Sequence, residues 1–109
     1  GDYLHSVDAA RAILALVDAQ QLRYRHYNVA SGETVSIGDI IGWAAQKVPH
    51  LRYEVCDAAH ANVVQDPHLA TGMWGAYDIA RLERDTGWRP RAGRDAFHDY
   101  MDWLAAGRI

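Results

Sequence analysis

The chain has 109 residues, of which 50% are hydrophobic and 23% charged, and its formal net charge is −3. This length suits one domain with one core, and the composition is typical of globular rather than disordered proteins. No basic excess exists to favour nucleic acid or an anionic membrane, and no run approaches the about 18 to 20 apolar residues of a membrane span.

The first elements are predicted to be a short strand and a helix. Residues 2–7, "DYLHSV", have the aromatic and β-branched content of a strand, and Ser6 or Asp8 is available as a helix cap. From Asp8 to Ala19 apolar residues recur at helical spacing, which predicts a helix with one stripe towards the core. The expected stripe consists of Ala9, Ala10, Ile13, Leu16 and Val17.

A second strand and a second helix follow. Residues 24–30 alternate between polar and apolar side chains before a Ser-Gly turn signal, which indicates a strand. Ser36 with Asp39 three residues later is typical of a capping box, and Pro49 ends the helix that it starts. The buried stripe of this helix is expected to contain Ile37, Ile40, Ile41, Ala44 and Val48.

A third strand is predicted at residues 51–57, where Leu51, Tyr53 and Val55 alternate with other side chains. The only cysteine, Cys56, lies in this run and cannot form an internal disulfide. A lone thiol in such a setting predicts a reducing compartment and a buried structural side chain. No positively charged leader precedes an apolar segment, so a cytoplasmic location is expected.

Residues 58–76 lack periodicity and are rich in His, Asn, Gln and Gly, which is more typical of a functional loop than of an idle one. A helix is then predicted from its cap Asp78 to its C-terminal Gly87. A last helix is predicted at about residues 94–106, with Phe97, Tyr100, Met101 and Leu104 buried. The fold class expected is α/β: a small mixed domain of two or three short strands and about four helices.

Three blocks of sequence resemble one known family. "DYLHSVDAARAILALVDA" is similar to an Asp-Tyr-(Ile/Leu)-His-Val-x-Asp block with its long helix, and "YNVASGETVSIGDII" to Tyr-Asn-(Val/Leu)-Gly-x-Gly with a Ser-initiated helix. "YDIARLERDTGWRPR" is similar to an Asp-x-(Ser/Ala)-(Arg/Lys) helix that ends in Leu-Gly-Trp-x-Pro. In this order the blocks resemble the C-terminal part of extended short-chain dehydrogenases/reductases, the NAD-dependent epimerase/dehydratase group.

The resemblance implies that residues 1–109 form a single C-terminal substrate-binding domain, whose partner is an N-terminal dinucleotide-binding domain of the same protein. The chain contains no Gly-x-Gly-x-x-Gly or Gly-x-x-Gly-x-x-Gly set. It also lacks the family's catalytic Tyr-x-x-x-Lys pair, because Trp43 stands four residues before the only lysine, Lys47. We therefore expect no catalytic residue and no bound cofactor here, with NAD or NADP implied for the full-length protein.

The substrate implied by the family is a sugar or a nucleotide sugar. The sequence departs from the family's pattern at two places that bear on the choice between these substrates. The family's arginine before Asp-Tyr would fall at Gly1, and its Arg-x-Gly-Asp loop is replaced by "DAAHANVVQDPH". The remaining groups suit neutral polar substituents better than a diphosphate. Free sugar acids, steroids and amino-acid-derived ketones stay open as substrates, as does the choice between epimerisation, dehydration and oxidation.

The substrate-binding candidates lie in the first block, in the loop and in the helix after it. His5 occupies the most family-like position, Trp74 is either a lid over a pocket or a plug into another domain, and Arg81 belongs to an arginine-rich stretch that suits an anion. The loop's polar residues complete the set, which is His5, His60, Asn62, Gln65, His68, Trp74 and Arg81. The spacing of Asp57, His60, Asp66 and His68 matches no fixed zinc motif, so no metal is predicted.

Two other functions remain open at this stage. One is a non-catalytic module that binds a ligand or another protein, and the other is an independent enzyme that uses the His and Asp residues of the loop. If residues 24–30 normally join a sheet of another domain, the chain alone would expose a strand edge and the apolar face of its first helix. A homo-oligomer is therefore a further expected partner.

Overall fold

The structure, a computed structural model, describes residues 1–66 and 75–107. These residues contain no strand, so the described part of the chain is all-helical and the expectation of a mixed α/β domain is wrong. Its four helices are α1 (Ser6–Asp18), α2 (Ile37–Lys47), α3 (Ala80–Thr86) and α4 (Gly93–Ala105).

The three segments predicted as strands, residues 2–7, 24–30 and 51–57, have no ladder of backbone hydrogen bonds among the described residues. Residues 6 and 7 belong to α1 instead. The nearest approach to strand pairing joins Gly1 and Val35, whose backbone groups exchange hydrogen bonds of 2.8 and 2.9 Å. An alternating pattern gives a segment one apolar face but supplies no partner for its backbone, and without that partner no strand forms.

Helix α1 begins two residues earlier than predicted, because the Nδ1 atom of His5 accepts the Val7 N–H at 3.1 Å and caps the helix. Neither Ser6 nor Asp8 is the cap. Ala12 is fully buried on this helix. Ile13 and Val17, predicted to face the core, are instead 58% and 74% exposed, so that part of the expected stripe is wrong.

Helices α2 and α4 pack against each other. The predicted capping box of α2 is confirmed: Ser36 Oγ accepts the Asp39 N–H at 3.0 Å and the Asp39 carboxylate accepts the Ser36 N–H at 2.9 Å. Between the helices a ring nitrogen of His98 lies 2.9 Å from the Trp43 carbonyl oxygen. The expected stripe of α2 is half-buried except for its last member, Val48, which is exposed.

The core lies where α1 meets α3 and consists of Ala12, Ala30, Ile79, Leu82 and Trp88. Helix α3 ends as predicted at Gly87, which adopts the left-handed φ of 76° and returns its N–H to Glu83. Asp78 lies one residue before the cap position, but its carboxylate still accepts the Ala80 N–H at 2.9 Å. On α4, Phe97 and Met101 are half-buried, whereas Tyr100 and Leu104, predicted as buried, are exposed.

Cys56 is exposed, so the prediction of a buried structural thiol is wrong. It belongs to residues 51–57, all of which are exposed. Among residues 1–66 and 75–107, no helix combines the length and the apolar character that crossing a membrane requires.

Candidate functional site

The carboxylate of Asp2 is the point where the three family-like blocks meet. It accepts the Ser31 N–H at 2.7 Å, the Ser31 hydroxyl at 2.6 Å and the Gly32 N–H at 3.0 Å. It also accepts the Tyr77 N–H at 3.2 Å, from the beginning of the third block. One side chain therefore fixes the relative position of segments that lie far apart in the sequence.

A cavity of about 350 Å³ opens beside this point, between the start of α1, helix α2 and helix α4. Its aromatic wall consists of Trp43, Phe97 and Tyr100, whose neighbouring ring centroids lie 6.2 and 6.5 Å apart. Apolar side chains of Val35 and Ile40 complete that wall. A concave, mainly apolar space of this volume is typical of a small-molecule site.

Polar side chains line the opposite side of the cavity. Arg91 donates from Nε to both carboxylate oxygens of Asp8, at 3.0 and 3.2 Å, and from Nη1 to Asp99 at 3.1 Å. The hydrogen bonds to buried Asp8 have the largest influence on the pKa of Arg91. Together with the hydrogen bond to Asp99 they hold that pKa above its ordinary value. His5 Nε2 lies 3.8 Å from Asp99, so the imidazole stands beside this network without a hydrogen bond to it.

The charge of this group limits what the cavity can bind. The guanidinium of Arg91 is already engaged by the two carboxylates of Asp8 and Asp99. Arg11 Nη1 also lies 3.9 Å from Asp8, so two cations and two carboxylates balance in this network, and Arg91 Nη2 is buried without a hydrogen-bond partner among the described residues. A phosphate would add a negative charge that this balanced network does not neutralise. The cavity therefore suits an uncharged ring more than a phosphate.

Of the predicted site residues, His5 alone is among the described residues that line this cavity. His60 is exposed and its Nδ1 lies 2.7 Å from the Asp57 carboxylate, in a local turn of the loop. Asn62 and Gln65 are exposed in the same loop. His68 and Trp74 lie outside the described residues.

Arg81 is exposed on α3, where its guanidinium lies 4.1 Å from the centre of the Tyr24 ring. It is not among the residues that line the cavity. Two other arginines of this stretch pair with acids, Arg89 with Glu83 and Arg94 with Asp95, both at 3.5 Å. The described arginines of the stretch are thus spread over separate partners rather than directed at one anion.

Sequence reasoning missed Arg91 and the aromatic wall as site residues. Arg91 belongs to the arginine-rich stretch, Phe97 and Tyr100 are predicted only as buried residues of the last helix, and Trp43 is not among the site candidates. A signal was present in the sequence: two aromatic residues stand three apart on a predicted helix, and so share a face. What the sequence did not provide was the neighbouring helix that brings Trp43 to the same face.

The described residues do not fit a dinucleotide cofactor. Their positive-φ glycines are Gly32, Gly87 and Gly107, none of which leads from a strand into a helix. The first turn of α2 is closed by its own capping box, and at the start of α4 a Cβ on Gly93 would lie 3.0 Å from Trp43. Lys47 is hydrogen-bonded to Asp102 at 3.0 Å.

Within residues 1–66 and 75–107 no three His, Cys, Asp or Glu side chains lie close enough together to hold a metal ion. No protein family, curated protein or solved structure matches the chain.

Proposed function

We propose that this chain is the substrate-binding part of an NAD(P)-dependent sugar-nucleotide epimerase/dehydratase or a related reductase, catalytically incomplete by itself. The observation that carries the proposal is the junction at Asp2. The three blocks that resemble the extended short-chain group are joined there by four hydrogen bonds, from Ser31, Gly32 and Tyr77. The convergence of the three blocks on one carboxylate is what supports the proposal.

The cavity beside that junction supports a role in holding substrate. Rings of Trp43, Phe97 and Tyr100 offer flat apolar surface, and His5 offers a hydrogen-bonding nitrogen at the other side. The charges around Arg91 are already balanced by ion pairs, which favours the uncharged ring of a sugar over its phosphates. The loop residues His60, Asn62 and Gln65 are exposed and therefore accessible to the rest of the substrate.

A dinucleotide-binding domain is the partner that this proposal requires, and it would bring the NAD or NADP. Two features of the chain support such a partner. Leu14 and Val17 on the outer face of α1 are 61% and 74% exposed, which is unusual for a helix with a second, buried apolar face. In addition, the backbone groups of residues 25–30 form no hydrogen bond with any described residue, as expected of a segment that completes a sheet elsewhere.

The test is an amide-resolved NMR titration of the 109-residue chain with UDP-glucose and, separately, with NAD and NADP. We expect UDP-glucose to shift the signals of His5, the Trp43 indole and residues 58–66, and the dinucleotides to shift none of them. A Tyr100→Ala variant should bind UDP-glucose roughly two- to tenfold more weakly, because it removes one ring of the wall. Leu104→Ala is the control, since Leu104 lies on the same helix, is exposed and does not line the cavity.

Two results would contradict the proposal. Shifts caused by NAD or NADP alone would place the cofactor on this chain, and equal weakening by the Tyr100 and Leu104 variants would remove the cavity from the binding site. Glucose and UDP titrated separately show which half of the substrate occupies the cavity. The charge around Arg91 predicts that the sugar does.

The second candidate function is a non-catalytic protein-interaction or ligand-binding module, and the exposed outer face of α1 favours it. A well-dispersed spectrum that responds to neither nucleotide sugar nor dinucleotide would select this alternative. For either function we propose a reducing, cytoplasmic location, which an exposed, unpaired Cys56 fits better than an oxidising compartment.

A further inference from the structure

Residues 51–57 carry the alternating pattern of a strand but have no partner among the described residues. All seven are exposed, with Tyr53 at 62% and Val55 at 90%. From residue 52 to residue 56 no backbone N–H or C=O group forms a hydrogen bond with a described residue. An exposed segment with free backbone groups and apolar alternate side chains is a template for another strand.

The side chains of this segment are complementary to a second copy of the same segment. In an antiparallel pair with its two-fold axis at Tyr53, Arg52 stands opposite Glu54 of the other copy, and Leu51 stands opposite Val55. Each of these pairs occurs twice. The pairing therefore combines two opposite-charge contacts, two apolar contacts and one contact between the tyrosines.

Neighbouring registers lack this match. An axis at Glu54 places the two Glu54 carboxylates opposite each other, and an axis at Arg52 does the same for the two guanidinium groups. An axis at Val55 places Tyr53 opposite Asp57 and leaves Arg52 without an acid. Like charges in direct opposition destabilise a strand pair, so the sequence selects the register centred on Tyr53.

We propose that two copies of this chain pair through residues 51–55 as antiparallel strands about a two-fold axis at Tyr53. The paired strands satisfy backbone groups that the single chain leaves open, and they bring Leu51, Tyr53 and Val55 of both copies together on one face of the ribbon. The contact is small compared with a standard interface of about 800 Å² per partner, so the dimer dissociates at low concentration. This interface does not depend on the proposed enzymatic function.

Charge exchange tests the pairing by sedimentation equilibrium of the 109-residue chain over a wide concentration range. Arg52→Glu or Glu54→Arg alone replaces both attractive pairs with like-charge pairs and should raise the dimer dissociation constant about tenfold or more. The double variant Arg52→Glu/Glu54→Arg restores opposite charges and should return to the wild-type constant. Arg25→Glu changes the net charge of the chain as Arg52→Glu does, and should leave the constant unchanged.

A cross-linking experiment tests the register on a Cys56→Ser background. Tyr53→Cys places one thiol of each copy on the axis, with Cα atoms about 5 Å apart, and should give a disulfide-linked dimer on mild oxidation. Val55→Cys is the matched control, because its two thiols lie four residues apart along the pair, roughly 13 Å, and should not link. All these positions are exposed, so the fold does not depend on them.

A wild-type chain that stays monomeric at several hundred micromolar would overturn the proposal. So would a dimer whose dissociation constant is unaffected by the single charge changes, or one that cross-links as readily through residue 55 as through residue 53. Loss of dimer in both single variants, recovery in the double variant and linkage through residue 53 alone are the results that the proposed pairing requires.

Discussion

Asp2 holds together residues that are 29 to 75 positions away in the sequence. Burial of its carboxylate raises its pKa, but hydrogen bonds from Ser31, Tyr77 and Gly32 outweigh that effect, and the net pKa is lowered. A lowered pKa means that the ionised form of the Asp2 carboxylate is more stable in the folded chain than in the unfolded chain. The charge of Asp2 therefore stabilises the fold wherever the carboxylate is ionised.

Replacing Asp2 by Asn should lower the free energy of unfolding at neutral pH by about 1–3 kcal/mol, because an amide presents one acceptor oxygen to four donors. The stabilising effect of the aspartate is complete above its unfolded pKa of ~3.9 and is lost as the pH falls through its lower folded pKa. Urea unfolding of both chains at neutral pH and at successively lower pH measures the difference.

The matched control for this experiment is Asp18→Asn, at an exposed position at the end of α1. It should change stability by less than about 0.5 kcal/mol at any of these pH values. A difference between wild type and the Asp2 variant that did not shrink in acid would mean that shape, and not charge, gives Asp2 its role.

Gly32 and Gly87 share a left-handed backbone but differ in their surroundings. Both have φ above 70°, which an L side chain adopts only at a cost of about 1 kcal/mol. A Cβ on Gly32 would also lie 3.0 Å from Cδ1 of Ile79, whereas a Cβ on Gly87 meets nothing within 4 Å. We expect Gly32→Ala to destabilise the chain more than Gly87→Ala does, as measured by urea unfolding; equal losses would show that Ile79 moves aside without cost.

At the scale of elements, α2 depends on the pair of hydrogen bonds between Ser36 and Asp39 at its first turn. Ser36→Ala removes the hydroxyl acceptor and should cost about 0.5–2 kcal/mol. The hydrogen bond from the Ser36 backbone, the largest influence, and that with its side chain hold the pKa of Asp39 below its ordinary value. The variant keeps the first and loses the second, so the pKa should rise part of the way to its ordinary value. Thermal unfolding and carboxyl NMR measure the two effects, and Thr34→Ala, an exposed position just before the cap, should produce neither.

Local chemistry made the helices predictable and the strands not. The capping box at Ser36 and the left-handed glycine after α3 are signals contained within a few residues, and the structure confirms both. Strand formation at residues 24–30 and 51–57 depended on a partner strand, which alternation cannot supply. In both segments apolar side chains are exposed and backbone groups lack hydrogen bonds to described residues, so both could pair with another strand.

The candidate site was predictable only where a motif carried it. His5 was found because it stands in the first block, whereas Arg91 and Trp43 join the cavity through contacts between segments that are distant in sequence. Periodicity also could not tell which of the two apolar faces of α1 meets the core. Both faces satisfy the helical spacing, and only the packing of α3 against Ala12 decides between them.

At the scale of the whole molecule, the chain is more extended than its length requires. Its radius of gyration is 16.7 Å, compared with about 13 Å for a compact chain of ~100 residues. Its described core is correspondingly small, and apolar side chains of α1 and of residues 51–57 remain exposed. A chain built in this way gains stability from whatever covers those surfaces.

The two faces of α1 allow this two-sided arrangement to be tested within one helix. Leu14 is 61% exposed, so Leu14→Gln should leave the free energy of unfolding within about 0.5 kcal/mol of wild type. Ala12 is fully buried, so Ala12→Gln forces a larger polar side chain into the core and should lower the free energy of unfolding by about 1–3 kcal/mol. Fluorescence of a hydrophobic dye should fall in the Leu14 variant, because its binding surface has lost an apolar group. If Leu14→Gln proved as destabilising as Ala12→Gln, the outer face of α1 would already be covered in the chain alone, and neither a second domain nor a second protein would be needed to explain it.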